Sequence, residues 1–195
     1  MQRSAEEAGI ISMMMRNPDF RVDYGTIVSC HMLNPDWDKP IVTISSNRST
    51  HYYSDEVMNE QASALGRAIS KAILESGKKV VLVASHSLSH RHFVTEAPLP
   101  EDMSREHIYN HSQYVWDMKV IEMMREGKME EVIGILPEMI EQTMAEAEGG
   151  GLTWMMAAMG MPDYPAEIYG YQSVIGTGNV IAAWDPNSST RAIVL

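Results

Sequence analysis

The chain has 195 residues, 45% hydrophobic and 21% charged, enough for one sizeable core, so a single domain over 1–195 is expected. A net charge of -11 argues against nucleic acid and against an anionic membrane as partners, although a local pocket can still oppose the global field. The single cysteine, Cys30, excludes an internal disulfide and fits a reducing cytoplasm, the N-terminus carries no signal-peptide pattern, and the apolar runs are too short to span a bilayer.

Ser4 to Arg16 is expected to be helical, with Asn17-Pro18 as its stop. Thr26 to Met32 reads as a strand, Asn34-Pro35-Asp36 as a turn, Ile41 to Ser45 as a short strand and Ser46 to Thr50 as a loop. Ser54 is a candidate helix cap, followed by Asp55 and Glu56 at the positive end of the dipole. Val57, Leu65, Ile69, Ala72 and Ile73 keep helical spacing, and Gly77 is a natural stop. Val80 to Ala84 then reads as a strand buried on both faces, completing a βαβ unit with parallel strands. The expected class is α/β, with a mixed, mostly parallel central sheet and helices on both faces.

Beyond a loop with Pro98 and Pro100, a long helix is expected from about Ser104 to Glu126, its apolar face holding Ile108, Val115, Met118, Ile121 and Met123 or Met124. Met129 to Leu136 and Pro137 to Glu148 read as two further helices, the second opening on Pro. Gly149-Gly150-Gly151 breaks the pattern, and Leu152 to Met161 is an apolar helix. Glu167 to Ile175 and Asn179 to Trp184 read as a hairpin around Gly176-Thr177-Gly178, and the apolar end Ala192 to Leu195 has no assigned place. The 17 methionines read as soft core filling, with Met13-Met14-Met15 and Met155-Met156 as partly buried helix faces.

The chemistry concentrates after Val80 to Ala84. In open α/β sheets ligands bind beyond the carboxyl ends of the strands. There the chain carries Ser85-His86-Ser87-Leu88-Ser89-His90-Arg91-His92. His90 can serve as an acid or base near neutral pH, or as a structural histidine capping a turn. His86, His90 and His92 could face one metal, though no carboxylate stands near them in sequence. His107 and His111 share a helix face without the Glu of a metalloprotease motif, which favours a solvated or substrate-facing pair. Glu146 and Glu148 are either a solvated helix end or, since acids oppose the dipole there, groups kept to bind a cation. Gly176-Thr177-Gly178 is a turn rather than a nucleotide fingerprint. Ser85, Ser87 and Ser89 next to histidines leave a hydrolase open, but no Gly-x-Ser-x-Gly elbow is present.

Four segments in order carry a resemblance: Asp23-Tyr24-Gly25-Thr26, Ala84 to Phe93, Leu152 to Gly160, and Gly170 to Gly178. Together, over about Val22 to Trp184, they resemble the class III extradiol ring-cleavage dioxygenases, most like the catalytic, beta-type subunits that act on aminophenols. The Ser-x-Ser-Leu-Ser-His element is fairly specific, and the others add weight in series. The resemblance implies a non-haem Fe(II) held by two His and one Glu, a geometry that leaves positions open for substrate and O₂. It implies that His90 is the acid/base, that Glu146 is the carboxylate ligand with Glu148 as the fallback, and that Tyr24 stands at a catalytic position where many relatives carry His. His86 is a second departure, because many relatives have a small residue there.

The family's two iron-binding histidines belong upstream of the Asp-Tyr-Gly segment, and no histidine precedes Tyr24. The expectation is therefore the C-terminal two-thirds of an extradiol dioxygenase subunit, lacking the N-terminal part of the fold. The implied reaction opens 2-aminophenol or a related aminophenol or catechol with O₂, in a homo- or hetero-oligomer with a related subunit. The alternative is a non-catalytic partner subunit or scaffold of the same fold without the iron site.

Overall fold

Ser54 opens the longest helix by accepting the Val57 N–H at 3.4 Å, with Asp55 and Glu56 in the first turn and Gly77 closing it at φ 63°. The computed structural model describes residues 1–45, 53–90, 110–174 and 176–187. In chain order the elements are α1 (Gln2–Glu7), α2 (Tyr24–Leu33), α3 (Asp55–Ser76), α4 (His111–Arg125), α5 (Met129–Thr143), a 3₁₀ turn (Glu146–Gly149), α6 (Gly150–Met159), β1 (Glu167–Val174) and β2 (Thr177–Ala183). They gather into two units, Met1–His86 with Gly150–Gly160, and Ser87–Gly149 with Met161–Leu195.

The first unit is helical. Met58, Ala62, Gly66, Ala68 and Ile69 form the buried stripe of α3, and Leu152, Met155, Met156, Ala157 and Ala158 are the buried part of α6. The two helices meet at Gly66, where a Cβ would lie 2.2 Å from the Trp154 carbonyl oxygen and 2.7 Å from the Ala157 Cβ. Ala5 of α1 is also buried, and Lys71 of α3 pairs with Glu7 at 2.6 Å. That pair is exposed, so it orients α1 more than it stabilises it.

Several expectations for this unit are corrected. The N-terminal helix ends at Glu7, because Gly9 takes φ 79° and the chain then runs irregularly; Ile11, Met13, Met14 and Met15 are exposed rather than helix core. Residues 26–32 are helical, not a strand. Asp23 accepts the Thr26 N–H at 2.9 Å and its hydroxyl at 2.8 Å, and this cap outweighs the β-branched run that follows. Ile41 to Ser45 is irregular. Val80 to Ala84 forms no strand, and Val80, Val81 and Val83 are exposed rather than buried on both faces. An apolar run becomes a strand only when a neighbour takes up its N–H and C=O groups, and no neighbour does so among the described residues. The expected βαβ unit is therefore not formed there. The Ser46 to Thr50 loop lies outside the described residues.

The second unit pairs α4 with α5 and sets the hairpin β1–β2 against α4. Asn110 and Gln113 form a reciprocal capping box at the start of α4; the expected extension back to Ser104 lies outside the described residues. The buried face of α4 is Gln113, Asp117, Val120, Ile121 and Met124, so Val115 belongs to the exposed side. Residues 129–143 are one helix, not two. Met129, Val132, Leu136, Met139 and Thr143 recur every three or four residues, and this buried stripe carries the helix through the exposed Pro137. The hairpin forms as expected, with Ser173 opposite Gly178, and β2 begins two residues early, at Thr177. It is the only sheet among the described residues, and it is antiparallel, so the mostly parallel central sheet is not seen in them. The Ala192 to Leu195 end lies outside the described residues.

Two glycine substitutions separate packing from backbone conformation. Gly66→Ala should cost about 1–3 kcal/mol by forcing α3 from the α6 backbone. Gly77→Ala, with nothing within 4 Å of its Cβ, should cost about 1–2 kcal/mol through its left-handed φ alone. Urea unfolding of both variants checks this; equal stability to wild type at Gly66 would contradict the close approach.

Candidate functional site

An aspartate in the apolar stripe of a helix is an expensive choice, and Asp117 occupies one, fully buried on α4. Three donors surround it. The Ser89 N–H reaches Oδ1 at 2.9 Å, while the Ser89 hydroxyl and the Tyr171 hydroxyl each reach Oδ2 at 2.7 Å. Burial pushes the Asp117 carboxyl above its ordinary range, against the opposing effect of these hydrogen bonds. Burial, then the bond to Asp117, pushes the Tyr171 hydroxyl up in turn.

This anchor fixes the segment Ser87 to His90. Leu88 and Ser89 pair with the hairpin turn, the Leu88 N–H donating to the Gly178 carbonyl at 2.8 Å and the Gly178 N–H to the Ser89 carbonyl at 3.0 Å. The Ser87 hydroxyl donates to Asn179 Oδ1 at 2.9 Å. On the other side the His90 N–H reaches the Thr143 carbonyl at 3.4 Å, an oxygen that also accepts from the Gln113 side chain at 3.1 Å. Gly178 is a required glycine, since a Cβ there would lie 1.8 Å from Asp117 Oδ2 and 2.7 Å from the Tyr171 hydroxyl.

Held in this way, the segment meets Glu146 in the 3₁₀ turn. The Glu146 N–H donates to the Leu88 carbonyl at 3.4 Å, and Glu146 Oε2 accepts the Ser87 N–H. Glu146 Oε1 lies 4.0 Å from His90 Nε2, with the imidazole mostly buried and the carboxylate about a third exposed. An imidazole and a carboxylate at this distance can pass a proton to a bound hydroxyl or share a cation.

His90 and Glu146 are thus brought together. Glu148 sits in the same 3₁₀ turn with φ 51°. Tyr24 is the first residue of α2, in the other unit, and is 83% exposed. His86 also belongs to the first unit, where its ring lies against Gly151, a Cβ on which would be 2.9 Å from it. His31 accepts from the Trp37 indole at 3.4 Å, and the exposed His111 stacks on Tyr114. His92, of the three-histidine reading, and His107 lie outside the described residues. Among the described residues no three His, Cys, Asp or Glu side chains converge on one point. The donor set present there is therefore short of the two-His-one-carboxylate triad.

A family model described as the catalytic LigB subunit of aromatic ring-opening dioxygenase matches residues 1–183. The chain belongs to this family. It is 51% identical over 179 residues to the 2-aminophenol 1,6-dioxygenase beta subunit of a Pseudomonas species, covering 92% of this chain and 59% of that protein. It is 27% identical over 171 residues to the 3,4-dihydroxyphenylacetate 2,3-dioxygenase of Escherichia coli, covering 86% of this chain and 59% of that enzyme. The chain therefore spans well under two thirds of either relative's length. Among the described residues no helix is long and apolar enough to cross a membrane.

The buried anchor was missed in the sequence, yet its signal was present: Asp117, Val120, Ile121 and Met124 share one helical face, and an acid in such a stripe needs partners. Its protonation has a measurable consequence. Over the pH window between an ordinary carboxyl and the raised Asp117, the folded chain keeps a proton that the unfolded chain has lost. Stability should therefore fall as pH rises through that window and level off above it. Asp117→Asn should lack this component, so the stability of wild type relative to the variant should decline with rising pH in urea unfolding series. A difference that is flat or rising with pH would contradict the raised carboxyl.

Proposed function

We propose that this chain is the catalytic part of an extradiol ring-cleavage dioxygenase acting on 2-aminophenol or a related aminophenol or catechol. The single observation carrying it is the meeting of His90 and Glu146 at 4.0 Å on a backbone held by Asp117, in a chain of the ring-opening family. The 51% identity to the 2-aminophenol 1,6-dioxygenase beta subunit supports the aminophenol as substrate. In the net reaction both atoms of O₂ enter the product and the ring bond beside the hydroxyl-bearing carbon breaks.

His90 Nε2 takes the proton from the substrate hydroxyl and later returns one to the opened product, and Glu146 steadies the imidazolium between these steps. The mostly buried imidazole limits exchange of that proton with water. The resemblance supports Tyr24, at the start of α2, as a further catalytic residue through its phenolic hydroxyl. Fe(II) is the proposed cofactor, with Glu146 as its carboxylate ligand; when bound it would supply the Lewis acidity that eases loss of the substrate's hydroxyl proton. The name of the relative, a beta subunit, supports assembly with a different, related subunit. We further propose that the chain works as one domain in the cytoplasm, and that Val80 to Ala84 serves as a strand of a mostly parallel sheet when a neighbouring strand takes up its backbone groups.

The shortfall of donors among the described residues favours a second reading, a non-catalytic subunit of the same fold. Anaerobic Fe(II) titration followed by oxygen uptake with 2-aminophenol separates the two, on the chain alone and combined with a related subunit. The catalytic reading expects stoichiometric iron and O₂ consumption in at least one form. His90→Gln should then lower kcat by about 10²–10⁴-fold with iron retained, and Glu146→Gln should lose the iron. Iron binding and oxygen uptake absent from every form would leave the non-catalytic subunit.

A further inference from the structure

We infer that Asp117 is a positioning residue for the His90–Glu146 pair, acting through Ser89. The inference rests on the ring-cleavage reading for its kinetic effect and on geometry alone for its structural one.

Ser89 is fully buried and is held to Asp117 twice, by its N–H and by its hydroxyl. These bonds fix both the path of the backbone and the rotation about it at one residue. Ser87 lies two positions before and His90 one position after. Glu146 takes the Ser87 N–H on Oε2 and faces His90 Nε2 at 4.0 Å with Oε1. A short rigid segment therefore presents both groups that define where the carboxylate stands. The Gly178 pairing and the Asn179 contact hold the outer side of the same segment, and Tyr171 ties that hairpin to the second oxygen of Asp117. Asp117 joins α4, the Ser87–His90 segment and β1 at a single carboxylate.

Nothing in this role requires Asp117 to touch substrate. A carboxylate serves better than a neutral group because three donors converge on it and each needs an acceptor lone pair. An Asn offers one oxygen and turns an N–H₂ toward groups that were donating. The geometry thus assigns to Asp117 the alignment of the acid/base with its carboxylate, a role distinct from general stability.

The test compares amide hydrogen exchange in wild type, Asp117→Ala and a control, Val132→Ala, which removes buried volume from α5 outside this network. Asp117→Ala should speed exchange at Ser87 and Ser89 by about 10–100-fold more than at the α5 amides, while Val132→Ala should shift all of them together. Should Asp117→Ala fail to fold, Asp117→Asn takes its place, with an excess of at least about tenfold expected at the same two amides. Uniform acceleration across the unit, as in the control, would overturn the inference.

Oxygen uptake with 2-aminophenol, on whichever form consumes O₂, supplies the second readout. Asp117 variants should lower kcat by about 10–100-fold with KM changed less than about threefold, whereas Val132→Ala should leave both near wild type. Selective exchange with unchanged kcat would overturn the positioning role. Selective exchange in a protein that never consumes O₂ would support the structural alignment and overturn the ring-cleavage reading instead.

Discussion

A carboxylate taken out of water must find donors or give up its charge. At Asp117 both responses are visible: three donors converge on it, and burial still drives its carboxyl upward. The second unit is arranged around that requirement. Helix α4 supplies the acid, the segment before the histidine supplies a backbone and a side-chain donor, and the hairpin supplies Tyr171. The donors come from two parts of the chain outside α4, Ser89 twice and Tyr171 once, so satisfying one charge also fixes three elements against one another. The imidazole and the carboxylate at the candidate site inherit their separation from this frame.

The first unit is held by a different kind of constraint. Its main contact is apolar and depends on the absence of a side chain at Gly66, which lets α3 come down on the Trp154 carbonyl. Hydrogen bonds play a smaller part there, and the exposed Lys71–Glu7 pair adds orientation rather than energy. Around this helical pair much apolar surface stays open, at Met13, Val81 and along α2, which buries no residue at all.

Legibility from sequence followed the range of the governing interaction. Helix α3 was read correctly because its cap, dipole charges and terminal glycine are all local. The hairpin was read for the same reason, from two β-rich runs about a glycine turn. Residues 26–32 read as a strand from their β-branched content, whereas the local cap at Asp23 makes them helical. Pro137 reads as a boundary, whereas the buried stripe from Met129 to Thr143 carries one continuous helix through it. Val80 to Ala84 could not be settled locally, since a strand is a property of two segments. At the site, His90 and Glu146 are candidates from their residue types, and the resemblance implies their roles. Their separation and the buried acid behind them needed tertiary contacts spanning Ser89 to Tyr171, which no window of sequence contains.

The hydrogen atom at Gly178 has an implication for how this protein can vary. The space a methyl group would need is already occupied by an Asp117 oxygen and the Tyr171 hydroxyl. Positions 117 and 178 are therefore not independent letters. A chain that exchanges its glycine there must first surrender the buried acid, and one that surrenders the acid loses its reason to keep the glycine. Any search through sequence space that treats these positions separately will pass through proteins in which the hairpin and the helix compete for the same volume.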